Sequence, residues 1–372
     1  MEVGIYHPWL KEKGGAEKVV LELAKRSTHE ITIYTRFYNP ESTFKEFGDL
    51  EIKELGFGGD AKNFIDAGLR FGIGSMLGKI PTEKLDALII SEAGLGSLTA
   101  IRNNNLPIIC YCHTPLRAAH PEFTQLYINE QPLPLKPVYK IGTKIYSVFE
   151  KHAWKKFDKV IANSQTTKER IIAKHLKHEK DIEVVHPGAD IEQNKPGEYE
   201  NYFLYPSRFR KYKRQELAIE AFEKADLEGF KLILAGSNQD PEYVEQLRQK
   251  AGENVEIKTD VPGDEWRELY RNCYSVLFLA ENEDWGIIPV ETGSYGKSII
   301  SVNEGGPAES VQHGETGFLV EPEPGMIAEK MCELAENPEK NREIGKKARK
   351  ESKKYSWQKF AEKLDRQVED LE

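Results

Sequence analysis

An α/β fold with parallel sheets covered by helices on both faces is what this sequence predicts, and three observations predict it. Apolar runs of four to seven residues alternate with amphipathic stretches along most of the chain, the rhythm of strand-helix-strand units with right-handed crossovers. The 372 residues exceed what one hydrophobic core usually organises, so two domains are expected. A polar, turn-rich segment at His186–Glu200, containing Pro187-Gly188 and Pro196-Gly197, breaks the rhythm, which then restarts. The expected units are therefore residues 1–190, residues 197–352 and a closing segment, residues 353–372.

The first half supplies strand runs at Val3–Tyr6, Glu30–Thr35, Ala87–Ser91, Pro107–Cys112, Lys159–Ala162 and Ile182–Val185. Amphipathic segments such as Ala16–Arg26 and Gln165–His175 fall between them as helices. The second half repeats the habit at Tyr202–Pro206, Lys231–Ala235, Val255–Lys258, Val276–Ala280, Ser298–Val302 and Gly317–Val320. A last helix over about Trp357–Leu371 has no following strand to join.

Composition narrows the partners. A net charge of −9 and a pI near 5.7 argue against nucleic acid. Cys110 and Cys112 are neighbours on one predicted strand, while Cys273 and Cys332 lie far away in sequence. That is no disulfide set and no metal-ligand spacing, so reduced thiols in a cytoplasmic protein are expected. The chain opens at once on a strand pattern and has no apolar run of about 18 residues, so neither a leader nor a spanning helix is expected.

Four constellations carry candidate chemistry. Gly14-Gly15-Ala16-Glu17 joins the first strand to a helix; two glycines admit a ligand to the backbone, and helix-terminal amides favour an anion. It is not a dinucleotide fingerprint, and a plain loop is the other reading. Arg208 and Lys213 follow the first strand of the second half, where open α/β sheets bind ligands, and two cations there suit a diphosphate. Solvated basic residues before a helix would look the same. Glu283 and Glu291 flank an acidic loop, Trp285-Gly286 and a helix expected to open at Pro289, which would put Glu291 in its first turn. There Glu291 either stabilises its helix or accepts hydrogen bonds from two ribose hydroxyls. His113 stands just past a strand, as a structural residue or facing a cleft. A second turn, Gly305-Gly306-Pro307, completes a set suited to phosphates at one end of a ligand and hydroxyls at the other, as in a nucleotide sugar.

Taken in order, these motifs resemble family 4 of the retaining glycosyltransferases. The marker is E-x7-E, here Glu283 to Glu291 in the EDWG-x-x-P-V-E form, with GGP-x-E downstream from Gly305 to Glu309. The GG-x-E turn at Gly14–Glu17, YCHTPLR around His113, IANSQTTKERI, VHPGAD and the R-x4-K of Arg208 and Lys213 extend the likeness over essentially the whole chain. The resemblance implies the GT-B architecture, two Rossmann-like domains whose parallel sheets face each other across an interdomain cleft. It implies an acceptor-binding first domain, a nucleotide-sugar-binding second domain and a terminal helix packing back toward the first. By position, Arg208 and Lys213 correspond to the cations on the diphosphate and Glu291 to the carboxylate on the ribose. Glu283 corresponds to the sugar-ring contact, aided by the backbone of Trp285, Gly286, Ile287 and Ile288. His113 corresponds to the histidine near sugar and acceptor, and Gly14 and Gly15 to the turn facing the phosphates. Departures lie at Gly293 and Tyr295, where small or apolar helix formers are usual, and at Trp285, where Phe is commoner; all are expected beside the sugar pocket.

The implied reaction is hexose transfer from a nucleoside-diphosphate sugar with retention, the departing phosphate taking the acceptor proton, without metal or other cofactor. GDP-mannose is the first donor expected, then UDP-glucose or UDP-N-acetylglucosamine, with a lipid-linked or saccharide acceptor. A 2-epimerase-like nucleotide-sugar isomerase and a catalytically silent nucleotide-sugar binder are the alternatives. One surface bears on location. Within Val138–Lys159, Lys140, Lys144, Lys151 and Lys155 fall in a band of about 60° at about 100° per helical residue, flanked by Ile141, Ile145, Val148 and Phe149. Upstream, Phe64–Ile80 is apolar and Gly-rich. Such a surface either docks on anionic lipid at the inner face of a membrane or is a solvated helix face over a core.

Overall fold

The structure, a computed structural model, describes residues 1–56, 58, 59, 66, 68–129 and 131–371, and of residues 69 and 126 the backbone alone. The described residues form two compact units, Met1–Pro187 together with the C-terminal helix that opens at Trp357, and Gly188–Ser356.

In the first unit a seven-stranded sheet runs in the order β3-β2-β1-β4-β5-β6-β7. Its strands are β1 (Glu2–Tyr6), β2 (Glu30–Thr35), β3 (Ile52–Glu54), β4 (Ala87–Glu92), β5 (Ile108–Cys112), β6 (Lys159–Ala162) and β7 (Ile182–Val184). Every pairing is parallel, so β1 meets β2 on one side, Ile5 opposite Ile33, and β4 on the other, Ile5 opposite Ile89. Residues of β4 and β5 are buried throughout, as a sheet covered on both faces demands. The closing helix, Trp357–Glu369, belongs here because Asp365 accepts hydrogen bonds from the Ser27 hydroxyl at 2.7 Å and the Thr28 amide at 2.7 Å. Phe360 packs edge-on against Tyr111 of β5.

The second unit repeats the plan with six parallel strands in the order β10-β9-β8-β11-β12-β13. They are β8 (Tyr202–Pro206), β9 (Lys231–Gly236), β10 (Val255–Thr259), β11 (Ser275–Phe278), β12 (Ile299–Val302) and β13 (Phe318–Val320). The chain winds outward from β8 through β9 and β10, returns, and resumes at β11 beside β8. Strand order therefore reverses between β8 and β11, and ligands of open α/β sheets bind beyond the strand ends at such a point. In the first unit the same reversal lies between β1 and β4.

β3 is an edge strand of three residues, Ile-Lys-Glu, too short and too polar to announce itself. The four cysteines are all free, and three are buried. No described helix is long and apolar enough to cross a membrane.

Candidate functional site

In the second unit, three loops leave the carboxyl ends of adjacent strands β8, β11 and β12 and bind one another. The loop after β8 carries Arg208 and Lys213. Its path is fixed by Tyr205 on β8, whose buried hydroxyl donates to the Lys213 carbonyl and accepts from the Leu279 amide at 3.2 Å. Gln215 donates to the Arg208 carbonyl at 2.9 Å. Arg214, in a left-handed conformation (φ 53°), reaches across to Glu304 after β12, its Nη1 donating to the two carboxylate oxygens at 3.1 and 3.0 Å. Glu304 also accepts from the Asn282 amide of the β11 loop at 3.3 Å. Asn282 is itself left-handed, at φ 45°. Two non-glycine residues held this way cost on the order of 1 kcal/mol each and persist only where their surroundings over-determine them.

The remaining link is glycine-dependent. The Gly306 amide donates to the Glu283 carbonyl at 2.9 Å. Gly305 sits at φ 62°, and a Cβ there would overlap that same carbonyl oxygen. The Glu283 loop and the Gly-Gly-Pro turn thus pack backbone on backbone.

Within this frame the Lys213 ammonium pairs with the Glu283 carboxylate. Lys213 is only 6% exposed, and its ammonium lies 5.0 Å from the Tyr212 ring centre and 5.6 Å from that of Phe278. Glu283 is a quarter open to solvent. Arg208 is half-buried in the same loop as Lys213.

The helix carrying Glu291 corrects one expectation. It spans Ile287–Ser294, with Gly286 as a left-handed N-cap (φ 70°), so it opens two residues before Pro289 and puts Glu291 in its second turn. Proline is accommodated at the third position because the first four amides of a helix have no partner within it. The reading of Glu291 as a first-turn stabiliser loses its basis. Its carboxylate instead accepts from the Tyr270 hydroxyl at 3.2 Å. Tyr270 stacks on Tyr295 at 5.4 Å with rings 17° apart, and burial pushes the Tyr295 phenol up to about 12. Tyr295 therefore braces the tyrosine that holds Glu291. Gly293 has a packing reason too, since a Cβ there would stand 2.8 Å from the Ala348 carbonyl of the helix Pro338–Ser352. Trp285 is turned away from any ligand role for its ring: the buried indole packs on Tyr355 at 5.4 Å, in a cluster with Ala189, Ile191 and Val290. Only its backbone remains a candidate contact, with those of Gly286, Ile287 and Ile288.

The first unit holds His113 just past β5, one strand from its own strand-order reversal. Gly14 caps the helix Gly15–Arg26 beside β1, and Glu17 in its first turn is buried. Ser91 on β4 sits between two imidazoles, 2.8 Å from Nε2 of His113 and 2.9 Å from Nδ1 of His7. Glu17 lies 3.9 Å from the far nitrogen of His7. Burial, then the neighbouring His7, depresses the His113 pKa to about 3, so this ring is neutral at ordinary pH. Next to Ser91, Glu92 is fully buried. Burial, and then Glu150, raise its pKa to about 7 against hydrogen bonds from the Ser97 and Gly94 amides. Sequence reading missed His7, Ser91 and Glu92 because the sheet, and no local motif, brings them together. Tyr270 and Glu304 were missed for the same reason, though Glu304 directly precedes the Gly-Gly-Pro turn. Among the described residues no group of three His, Cys, Asp or Glu is placed to hold a metal.

Comparison with known proteins assigns both units to one kind of protein. The family described as Glycosyltransferase Family 4 matches residues 13–193, and that described as Glycosyl transferases group 1 matches residues 188–351. The alpha-1,3/1,6-mannosyltransferase ALG2 of Homo sapiens is 25% identical over 96% of this chain and 93% of its own length. Its namesake from Dictyostelium discoideum is 24% identical over 100% and 98%. In fold, the chain is similar to Anabaena HepE solved with UDP and glucose, with a TM-score of 0.77 at 17% identity over 99% of each chain. It is also similar to WaaG, a glycosyltransferase of lipopolysaccharide biosynthesis, with a TM-score of 0.71 at 15% identity over 98% and 99%.

Proposed function

Since this chain belongs to the family 4 glycosyltransferases, with the GT-B pair of α/β units, we propose that it moves mannose from GDP-mannose to a lipid-linked or saccharide acceptor, with retention and without a metal. The observation that carries the site assignment is the pair of buried Lys213 with half-buried Glu283 where β8 and β11 reverse the strand order. Breaking the bond between sugar and diphosphate builds negative charge on the leaving oxygen and positive charge at the anomeric carbon. Lys213 and Arg208 offset the first, and the free amides at the start of the Ile287–Ser294 helix are further donors. Glu283 lies on the sugar side, and Glu291, held by Tyr270, takes the ribose hydroxyls. In the free chain Lys213 is neutralised by Glu283; a bound donor exchanges that partner for a diphosphate and frees the carboxylate for the sugar. His113, neutral and fixed through Ser91, offers a hydrogen bond to an acceptor held on the first unit with no charge change.

Mannose is favoured over glucose because the relatives above, matching nearly the whole chain, bear mannosyltransferase names. We place the enzyme at the inner face of a membrane, where a lipid-linked acceptor would be met. The test is nucleoside diphosphate release from a panel of GDP-mannose, UDP-glucose and UDP-N-acetylglucosamine, with Glu283→Ala and Arg208→Ala beside the native chain. GDP release that either substitution abolishes supports the reading, and turnover unaffected by both rejects it.

A further inference from the structure

The helix Lys136–Trp154 of the first unit buries one side and leaves a second apolar side in water. Tyr139, Thr143, Glu150, Ala153 and Trp154 face the core. Val138, Ile141, Ile145, Val148 and Phe149 are exposed, Val148 by 68%, Ile141 by 59% and Ile145 by 54%. At about 100° per residue these five occupy an arc of roughly 100° pointing away from the buried one. Lys140, Lys144, Lys151 and Lys155 line one border of that arc, all exposed. A surface helix normally hides its apolar stripe, so a stripe that faces outward is made for something other than this core.

Charge selects the occupant. From Lys136 to Lys156 the chain has a single acid, Glu150, and it is buried and paired with Lys174 at 2.7 Å. The exposed side of the helix is thus apolar and cationic with no negative group, on a chain whose net charge is −9. A second copy docking stripe to stripe would bring one lysine row toward another. An anionic lipid surface matches both components, taking the side chains among its acyl chains while lysines reach the headgroups.

The segment Phe64–Ile80 contributes less than its composition predicts. Phe64 and Ile65 lie outside the described residues, and Phe71 and Ile80 are buried, Phe71 against Trp9. Ile73 and Leu77 are exposed, on a stretch that packs on the same Gly96–Ile101 turn as the long helix.

We infer that the outward face of Lys136–Trp154 is a docking surface for anionic lipid headgroups and the acyl layer beneath them. This deepens the location proposed above and uses none of the donor-site residues. The full chain is floated with vesicles of phosphatidylcholine alone or with 30% phosphatidylglycerol (about a third anionic, enough for a negative surface potential), at low and high salt. The native chain should float with the anionic vesicles at low salt and not with neutral ones. Lys140→Glu with Lys144→Glu should reduce binding by more than about twenty-five-fold, since each lysine is worth about fivefold before charge reversal. Separately, Ile141→Glu with Ile145→Glu should weaken it strongly by putting two negative charges on the face that enters the lipid. Nucleoside diphosphate release should be unchanged in both, which separates this surface from the donor site. No flotation of the native chain, or equal flotation of the variants, overturns the inference. So does a concentration-dependent dimer in sedimentation that Ile145→Glu dissolves, because the face would then belong to a second copy.

Discussion

Replacing Lys213 by methionine keeps the aliphatic stem and removes only the charge. The ammonium is nearly sealed from water, between Glu283 and the rings of Tyr212 and Phe278. A unit charge about 4 Å away is worth roughly 4 kcal/mol at an effective dielectric constant near 20. Only the part that grows as the leaving oxygen becomes charged accelerates the reaction. Taking that as about 3 kcal/mol, Lys213→Met should lower kcat by about a hundredfold, the loss typical of one preorganised donor. Stability should barely change: Glu283 is left in contact with water, and a pair of this kind contributes about 1 kcal/mol. The corresponding drop in Tm is roughly 2–4 °C. The assay is GDP release at saturating GDP-mannose, with unfolding followed by circular dichroism. A variant that folds and turns over within threefold of the native rate refutes the reasoning.

Gly305→Ala should destabilise the second unit by about 2 kcal/mol or more, because it forces a side chain into left-handed backbone and onto the Glu283 carbonyl; urea unfolding measures this, and donor KM should rise with it. Glu92 gives a pH signature. Its pKa rises from 4.5 to about 7 on folding, so the folded chain holds the proton more tightly, and this group's stabilisation is complete below 4.5 and lost as pH climbs through 7. The loss is about 3 kcal/mol, and Glu92→Gln should flatten the dependence of urea midpoint between pH 4.5 and 8. His113 acts with the opposite sign: with its pKa depressed to about 3, stability is full above about 6.5 and falls as pH drops. Its ring being neutral, His113→Gln should leave the shape of kcat/KM against pH unchanged from 5 to 8 while lowering its height.

The sheets were legible because parallel strands covered on both faces read as unbroken apolar runs, such as the buried Tyr202–Pro206. Ile52–Glu54 has one apolar residue and a single neighbour, β2, so neither period nor run betrays it. At the candidate site, Arg208 and Lys213 were legible from the strand they follow, Glu283 and Glu291 from the ordered motifs that carry the family resemblance, and the fold supplied which of them touch. Tyr270 could not be read as a partner of Glu291, since it comes from a separate helix, Gly263–Asn272, with no periodic link to it. The misplaced helix start has a local cause: the glycine before Ile287 turns left-handed and opens the helix early, a conformation that Trp285-Gly286 hinted at and Pro289 masked. The buried line from Glu17 through His7 and Ser91 to His113 depends wholly on β1, β4 and β5 lying side by side.

A crystal of the chain soaked with GDP addresses the two cations and the ribose carboxylate together. Phosphate oxygens within hydrogen-bond distance of Arg208 and Lys213, with the ribose hydroxyls on Glu291, are the predicted density. A nucleotide seated away from the loops that follow β8, β11 and β12 would contradict it.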